Sequence, residues 1–358
     1  MPRMYLAAAG SGKTTFLLNM AAESSHRFLY TTFTDENADV AKAMLVQKHG
    51  CIPPNVTILP WFSFLLEHGV RPFQGAAGFG SVEFVGVDLS ERVKNYSKRP
   101  TLGYFCNSSN SVYPSKLPEL ALHCDNCSNG AVMARLNSLF DFILIDEAQD
   151  LAGYDFDFVE RLLNSGIDVR ICGDERQSTY RTNRSRKHRN KSLEQFLVEN
   201  GLVAKCPIDR DSLNDSHRCC KAIIEFANRL YPDLQQTRSI ARIEDSVHSG
   251  VWIVPESLVQ EYADRFNPIV LRDRSTIKTI SGQIAINFGK SKGRTYNDVL
   301  IYPVNPVLKW LSNSSKELAG QTRSRFYVAV TRARHSAGIV VPDKEVGRLK
   351  VHYQIWEP

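Results

Sequence analysis

The stretch Ala7-Ala8-Ala9-Gly10-Ser11-Gly12-Lys13-Thr14 constrains this 358-residue chain more than any other. It closes a short apolar run, residues 4–9, and opens a helix-like segment, residues 14–23, so the order is strand, loop, helix. Small residues in such a loop let backbone N–H groups converge on phosphate oxygens, while a lysine neutralises the β and γ phosphates and a hydroxyl can ligate Mg²⁺. Ala9, Gly10, Ser11, Gly12, Lys13, Thr14 and Thr15 are therefore the expected nucleotide contacts, with Ala7 standing where the general pattern has glycine.

The same alternation continues along the chain. Residues 28–33 are β-branched and aromatic enough for a strand, 37–46 read as a helix, and 142–145 and 169–172 are short apolar runs that end in acidic residues. A second series holds a helix at 222–230 and strands at 251–254, 269–271, 299–302 and 338–341. Continuous apolar strands alternating with helices predict α/β architecture with parallel sheets covered on both faces. The length suits two domains, placed at 1–200 and 201–358. Residues 70–130 are rich in Gly, Ser, Asn and Pro and predict a small inserted subdomain.

A chain with 43% hydrophobic residues can bury a sizeable core, yet no run approaches the roughly 18 apolar residues of a membrane span. The basic Arg3 and the alanines after it imitate a signal peptide, but the apolar part is too short. The net charge of +6 permits a polyanionic partner. Eight cysteines are too few for a disulfide scaffold of this size, and a reducing cytoplasm fits them.

A phosphate loop needs an acidic strand end, and Ile143-Leu144-Ile145-Asp146-Glu147-Ala148-Gln149-Asp150 supplies one. Asp146 is expected to hold Mg²⁺ together with Thr14, and Glu147 to polarise the attacking water. Another strand ends at Gly173-Asp174-Glu175-Arg176-Gln177-Ser178, where Gln177 can reach the γ-phosphate or the lytic water.

These last two segments resemble the second and third motifs of superfamily 1 DNA helicases of the UvrD/Rep/PcrA type. Thr32-Phe33-Thr34-Asp35-Glu36-Asn37-Ala38 is similar to motif Ia, and Val56-Thr57 through Trp61-Phe62-Ser63-Phe64 to motif Ib. The resemblance implies single-stranded DNA contacts at Phe33, Thr34, Thr57, Trp61 and Phe62, with Trp61 the better stacking residue and Phe62 and Phe64 equally suited to a core. Residues 213–219 resemble motif IV, 287–295 motif V and 326–334 motif VI. By that likeness Arg218 and Arg332 contact the transferring phosphoryl, and His217 and Gly293 belong to the nucleotide site.

The resemblance implies two RecA-like domains with ATP and Mg²⁺ in the cleft between them, and a motor moving 3′ to 5′ on single-stranded or tailed duplex DNA. The alternative is a regulatory ATPase subunit beside a nuclease or other protein partner in a phage-defence complex. The sequence also departs from the family. Only six residues precede Ala7, so the adenine-reading glutamine motif has no counterpart. His217 replaces an aromatic that stacks on adenine, and Thr295 a ribose-binding glutamate. About seventy residues separate Arg218 from Asn287, too few for the large accessory insertion, which makes this a minimal form. Two further features stand apart. Cys124-Asp125-Asn126-Cys127 has metal-ligand spacing without a second pair, which favours reduced structural cysteines. Residues 181–191 hold six Lys or Arg, suited to a solvated loop or to a phosphate-tracking one.

Overall fold

The computed structural model describes residues 1–90, 100–179, 187–188, 191–243, 248–314 and 317–358. It divides into two compact units: one comprises Met1–Leu6, Lys13–Gly173 and Arg181–Asp209, and the other Ala7–Gly12, Asp174–Tyr180 and Arg210–Pro358.

The first unit is built on six strands: β1 (Arg3–Leu6), β2 (Phe28–Thr32), β3 (Val56–Pro60), β4 (Phe142–Ile145), β5 (Asp168–Gly173) and β6 (Ile208–Asp209). Their order is β3-β2-β4-β5-β1-β6, and every neighbouring pair is parallel. Parallel pairing forces a crossover between successive strands, so helices cover the faces and the strands read as apolar runs. Every residue of β2 is buried, and Ile143, Leu144 and Ile145 are too. Helix α1 (Lys13–Ala22) turns Leu17, Leu18 and Ala21 inward. Helix α2 (Asp35–His49) starts where Thr34 Oγ1 accepts the Asn37 N–H at 3.1 Å, carries Asp35 and Glu36 in its first turn, and stops at Gly50 with φ +77°.

Register fixes which ends meet. Leu6 pairs with Gly173, Thr31 with Ile145, and Thr32 with Pro60, so the carboxyl ends of β1 to β5 lie along one edge of the sheet. The phosphate loop, Phe33, Trp61 and Asp146 all follow directly from that edge, the side on which open parallel sheets bind ligands. Residues 70–130 include a two-stranded parallel pair, Gly86–Val87 with Ser111–Val112, and a helix, α3 (Leu117–Cys127). Phe84, Phe105, Val112 and Leu117 pack in the same core as Leu29, Ile143 and Val169, so this segment enlarges the sheet's core rather than forming its own.

The second unit repeats the plan with β7 (Gly250–Pro255), β8 (Ile269–Arg272), β9 (Ile286–Asn287), β10 (Tyr296–Tyr302), β11 (Ala333–Val341) and β12 (Gln354–Ile355), ordered β9-β8-β10-β11-β7-β12 and parallel throughout. A helix, Gly320–Val330, buries Phe326 through Val330 and runs through Thr331 and Arg332 into β11. The fold is thus α/β with two parallel sheets, as the strand pattern predicts. Among the described residues no helix is long and apolar enough to cross a membrane.

Candidate active site

The phosphate loop bends at two glycines in the left-handed region, Gly10 with φ +75° and Gly12 with φ +81°. Gly10 meets a second requirement. A Cβ there would fall 2.5 Å from the Arg218 Cβ and 2.9 Å from the Ser216 Oγ, so the motif IV segment lies against the loop at a distance only glycine allows. The approach is fixed by backbone bonds, Ala8 N–H to Leu213 O at 2.8 Å and His217 N–H to Gly10 O at 2.9 Å. Ala9 is fully buried, Thr15 is exposed, and Ser11 Oγ is buried without a hydrogen-bond partner among the described residues. An orphaned hydroxyl in such a loop suits a ligand oxygen.

In the first unit the lysine and the acidic strand end converge. Lys13 Nζ lies 3.0 Å from Glu147 Oε1. Thr14 Oγ1 donates to Asp146 Oδ2 at 2.6 Å, and the Glu147 N–H donates to Asp146 Oδ1 at 2.8 Å. Asp146 is almost wholly buried. Its carboxyl is pushed above the usual range by desolvation and by the neighbouring Glu147, against the pull of Lys13 and two hydroxyl donors. One of those donors was not foreseen from the sequence: the buried Tyr30 hydroxyl reaches Asp146 Oδ2 at 2.7 Å. A hydroxyl-bearing residue inside the otherwise apolar start of β2 was the available signal, since a buried phenol needs a partner.

Glu147 itself sits at φ +57°, a left-handed conformation that a residue with a long side chain avoids at a cost of about 1–2 kcal/mol. Gln149 Nε2 donates to Glu147 Oε2, which fixes the second carboxylate oxygen. Gly173 gives that glutamine room, because a Cβ there would lie 3.1 Å from Gln149 Oε1.

The arginines lie in the second unit. Arg332 is 1% exposed, and its guanidinium donates to Val328 O at 3.2 Å, Arg294 O at 3.1 Å and Gln177 Oε1 at 3.1 Å. Gln177 in turn donates through Nε2 to Asp174 Oδ2 at 2.8 Å. Arg218 is half-buried and donates from Nη1 to Thr331 O at 3.2 Å, one residue from Arg332. The structure therefore joins Gln177 directly to Arg332 and ties Arg218 to the backbone of the neighbouring Thr331. His217 is exposed, as is Gly293, which turns at φ +82° ahead of β10.

Phe33 and Phe62, both half-buried, make an edge-to-face pair with centroids 5.6 Å apart at the carboxyl ends of β2 and β3. Thr34 caps α2, and Thr57 is exposed near the amino end of the edge strand β3. The expectation for Trp61 needs correcting. Its ring is 1% exposed and packs on Phe64 and Phe158, while its indole N–H donates to the buried Asp155 Oδ1 at 2.7 Å. No face is left on which a base could stack, so this aromatic belongs to the core.

Thr14 and Asp146 offer a hydroxyl and a carboxylate, the hard oxygen donors that Mg²⁺ takes alongside substrate phosphates, and the residues fit that ion. Cys124 is buried, its thiol pushed up to about 12 by desolvation, whereas Cys127 is exposed. Among the described residues no three His, Cys, Asp or Glu side chains come together as metal ligands. Most of the basic run 181–191 lies outside the described residues.

Lys13 and Thr14 at the start of α1 meet the acidic end of β4 at the carboxyl edge of a parallel sheet, the edge at which such sheets bind ligands. Residues 104–197 match the UvrD/REP helicase N-terminal domain, a stretch that includes Asp146, Glu147 and Gln177. The resemblance read from the motifs is borne out there. No curated protein matches the sequence significantly. Among solved structures, the chain is similar to the arterivirus nonstructural protein 10 helicase in complex with DNA, at 15% identity and a TM-score of 0.49, over 97% of this chain and 63% of that one. The PRRSV helicase gives 15% identity and a TM-score of 0.46, over 97% of this chain and 53% of that one. The chain thus spans less than two thirds of the length of these helicases.

Proposed function

We propose that this chain is an ATP-hydrolysing motor that moves 3′ to 5′ on single-stranded or tailed duplex DNA. The observation that carries the reading is the convergence of Lys13, Thr14, Asp146 and Glu147 at one sheet edge. Lys13 and the loop amides would bind the β and γ phosphates. Thr14 and Asp146 would hold Mg²⁺, which when bound offsets phosphate charge. Lys13 is ion-paired with Glu147, so a lysine that turns to phosphate leaves the Glu147 carboxylate as the stronger base toward water. By the motif resemblance, Gln177 would act on the γ-phosphate or the lytic water, and Arg218 and Arg332 would supply positive charge to the transferring phosphoryl.

Phe33 and Phe62, with Thr34 and Thr57, are the proposed contacts to single-stranded DNA, through ring edges and hydroxyls. His217 and Gly293 are the proposed nucleoside contacts. Residues 1–200 and 201–358 serve as the two RecA-like domains of a minimal motor, and the eight free cysteines suit a cytoplasmic setting. The short spacing between Arg218 and Asn287 favours weak strand separation by the chain alone, and keeps a second reading in view: a regulatory ATPase subunit that works beside a nuclease. The experiment is ATPase rate measured in parallel without nucleic acid and with single-stranded DNA, duplex DNA and RNA. Strongest stimulation by single-stranded DNA is expected. Equal rates in all four would overturn the reading.

A further inference from the structure

The Asp146 carboxylate is held by more than its neighbours in sequence. Its backbone N–H donates to Thr31 O at 2.8 Å, so the main chain of β2 anchors the turn that carries it. One residue earlier on the same strand, Tyr30 lies level with Leu144 on β4 and Ile58 on β3, is 1% exposed, and sends its hydroxyl to Asp146 Oδ2 at 2.7 Å. Thr14 Oγ1 shares that oxygen at 2.6 Å, and Oδ1 is taken by the Glu147 N–H at 2.8 Å. Three donors thus fix both the rotamer and the plane of a carboxylate that is 3% exposed. A phenylalanine would fill the same volume in β2. The hydroxyl is what distinguishes this residue, and it is spent on the proposed metal-binding group.

We propose that Tyr30 is a positioning residue for Asp146: its phenol fixes the orientation of the carboxylate that would hold Mg²⁺, without itself touching metal or nucleotide. The proposal rests on the reading of Asp146 and Thr14 as the magnesium-binding pair. Outer partners that orient a metal-binding carboxylate are typically worth 10–100-fold in metal affinity. With Mg²⁺ and nucleotide bound, Thr14 would offer its oxygen to the ion, and the Tyr30 bond to Oδ2 would keep the carboxylate in place.

The test uses the full chain and a fluorescent, non-hydrolysable ATP analogue whose anisotropy is followed during a MgCl2 titration and, separately, in EDTA. Tyr30→Phe is expected to raise the Mg²⁺ concentration at half-maximal binding about tenfold, with affinity in EDTA close to wild type and the chain still folded. If the phenylalanine variant does not fold, Tyr30→Met, which keeps apolar bulk and has no donor, is expected to give the same shift. A structural role alone would lower the melting temperature without moving the Mg²⁺ midpoint. A midpoint within twofold of wild type, in a variant that is folded, overturns the role of Tyr30 alone. Absence of any Mg²⁺ response in the wild type overturns the magnesium-site reading and this role with it.

Discussion

Lys13 Nζ and Glu147 Oε1 stand 3.0 Å apart, and both side chains are nearly buried. One residue opens the helix after β1, and the other follows β4 in a left-handed backbone conformation. A charged pair in such a site is stable only while each partner offsets the desolvation of the other, and in the proposed mechanism a bound phosphate would compete for the lysine. The second Glu147 oxygen accepts from Gln149, a bond that does not depend on Lys13.

The fit of Gly10 against Arg218 makes a stability prediction. Gly10→Ala places a Cβ 2.5 Å from another Cβ in a residue at φ +75°, and should cost about 2 kcal/mol or more. Gly12→Ala, with φ +81° but nothing within 4 Å, should cost only the backbone part, about 1 kcal/mol. Chemical denaturation of both variants checks the order. Equal losses would mean that the Arg218 segment does not lie against the loop.

Arg332 bridges three oxygens of its own unit, a task for a planar fork of donors. Arg332→Ala should slow hydrolysis about 10³-fold with little change in ATP affinity, and Arg332→Lys should not restore the rate. Steady-state kinetics with a nucleotide-binding assay decide this. Normal turnover in Arg332→Ala would remove the residue from the mechanism.

Trp61 is predicted to matter for stability rather than for DNA. Trp61→Phe loses the indole donor to Asp155 and should destabilise the chain by about 1.5–3 kcal/mol, with single-stranded DNA affinity unchanged. Weaker DNA binding at unchanged stability would return the ring to the surface.

What local patterns encode was legible in the sequence. The strand, glycine turn and helix around Lys13 follow from residues within two turns of each other, as do the apolar strands that end at Asp146 and Gly173. Pairings across long sequence separations were not. The Tyr30 hydroxyl finds its carboxylate 116 residues away, the Trp61 indole its aspartate 94 away, and Arg332 its glutamine 155 away. An aromatic after a strand reads identically whether it faces solvent or core, and only the helix that carries Asp155 decides that Trp61 turns inward.

Arg27 grips Asp141 at the amino edge of the first sheet, with Nη2 to Oδ1 at 2.8 Å and the backbone N–H to Oδ2 at 2.8 Å. The side-chain bond above all, and then the backbone one, hold the carboxyl down at about 2 from its ordinary 3.8. A depressed carboxylate contributes stability that is full above the unfolded value and lost as pH falls through the folded one. The melting-temperature difference between wild type and Arg27→Ala should therefore hold above about pH 4 and narrow as pH falls toward about 2. Both side chains are partly exposed, so the difference is small, and a gap that does not narrow between about pH 4 and about pH 2 would contradict the assignment.

The central claim is that Lys13 binds the phosphates and Glu147 activates water in a DNA-stimulated ATPase. ATP binding and single-turnover hydrolysis, measured on single-stranded DNA for wild type, Lys13→Ala and Glu147→Gln, test it most directly. The account predicts that Lys13→Ala fails to bind nucleotide, while Glu147→Gln binds it as tightly as wild type and turns over at least about 10²-fold more slowly. Wild-type turnover in Glu147→Gln would contradict it.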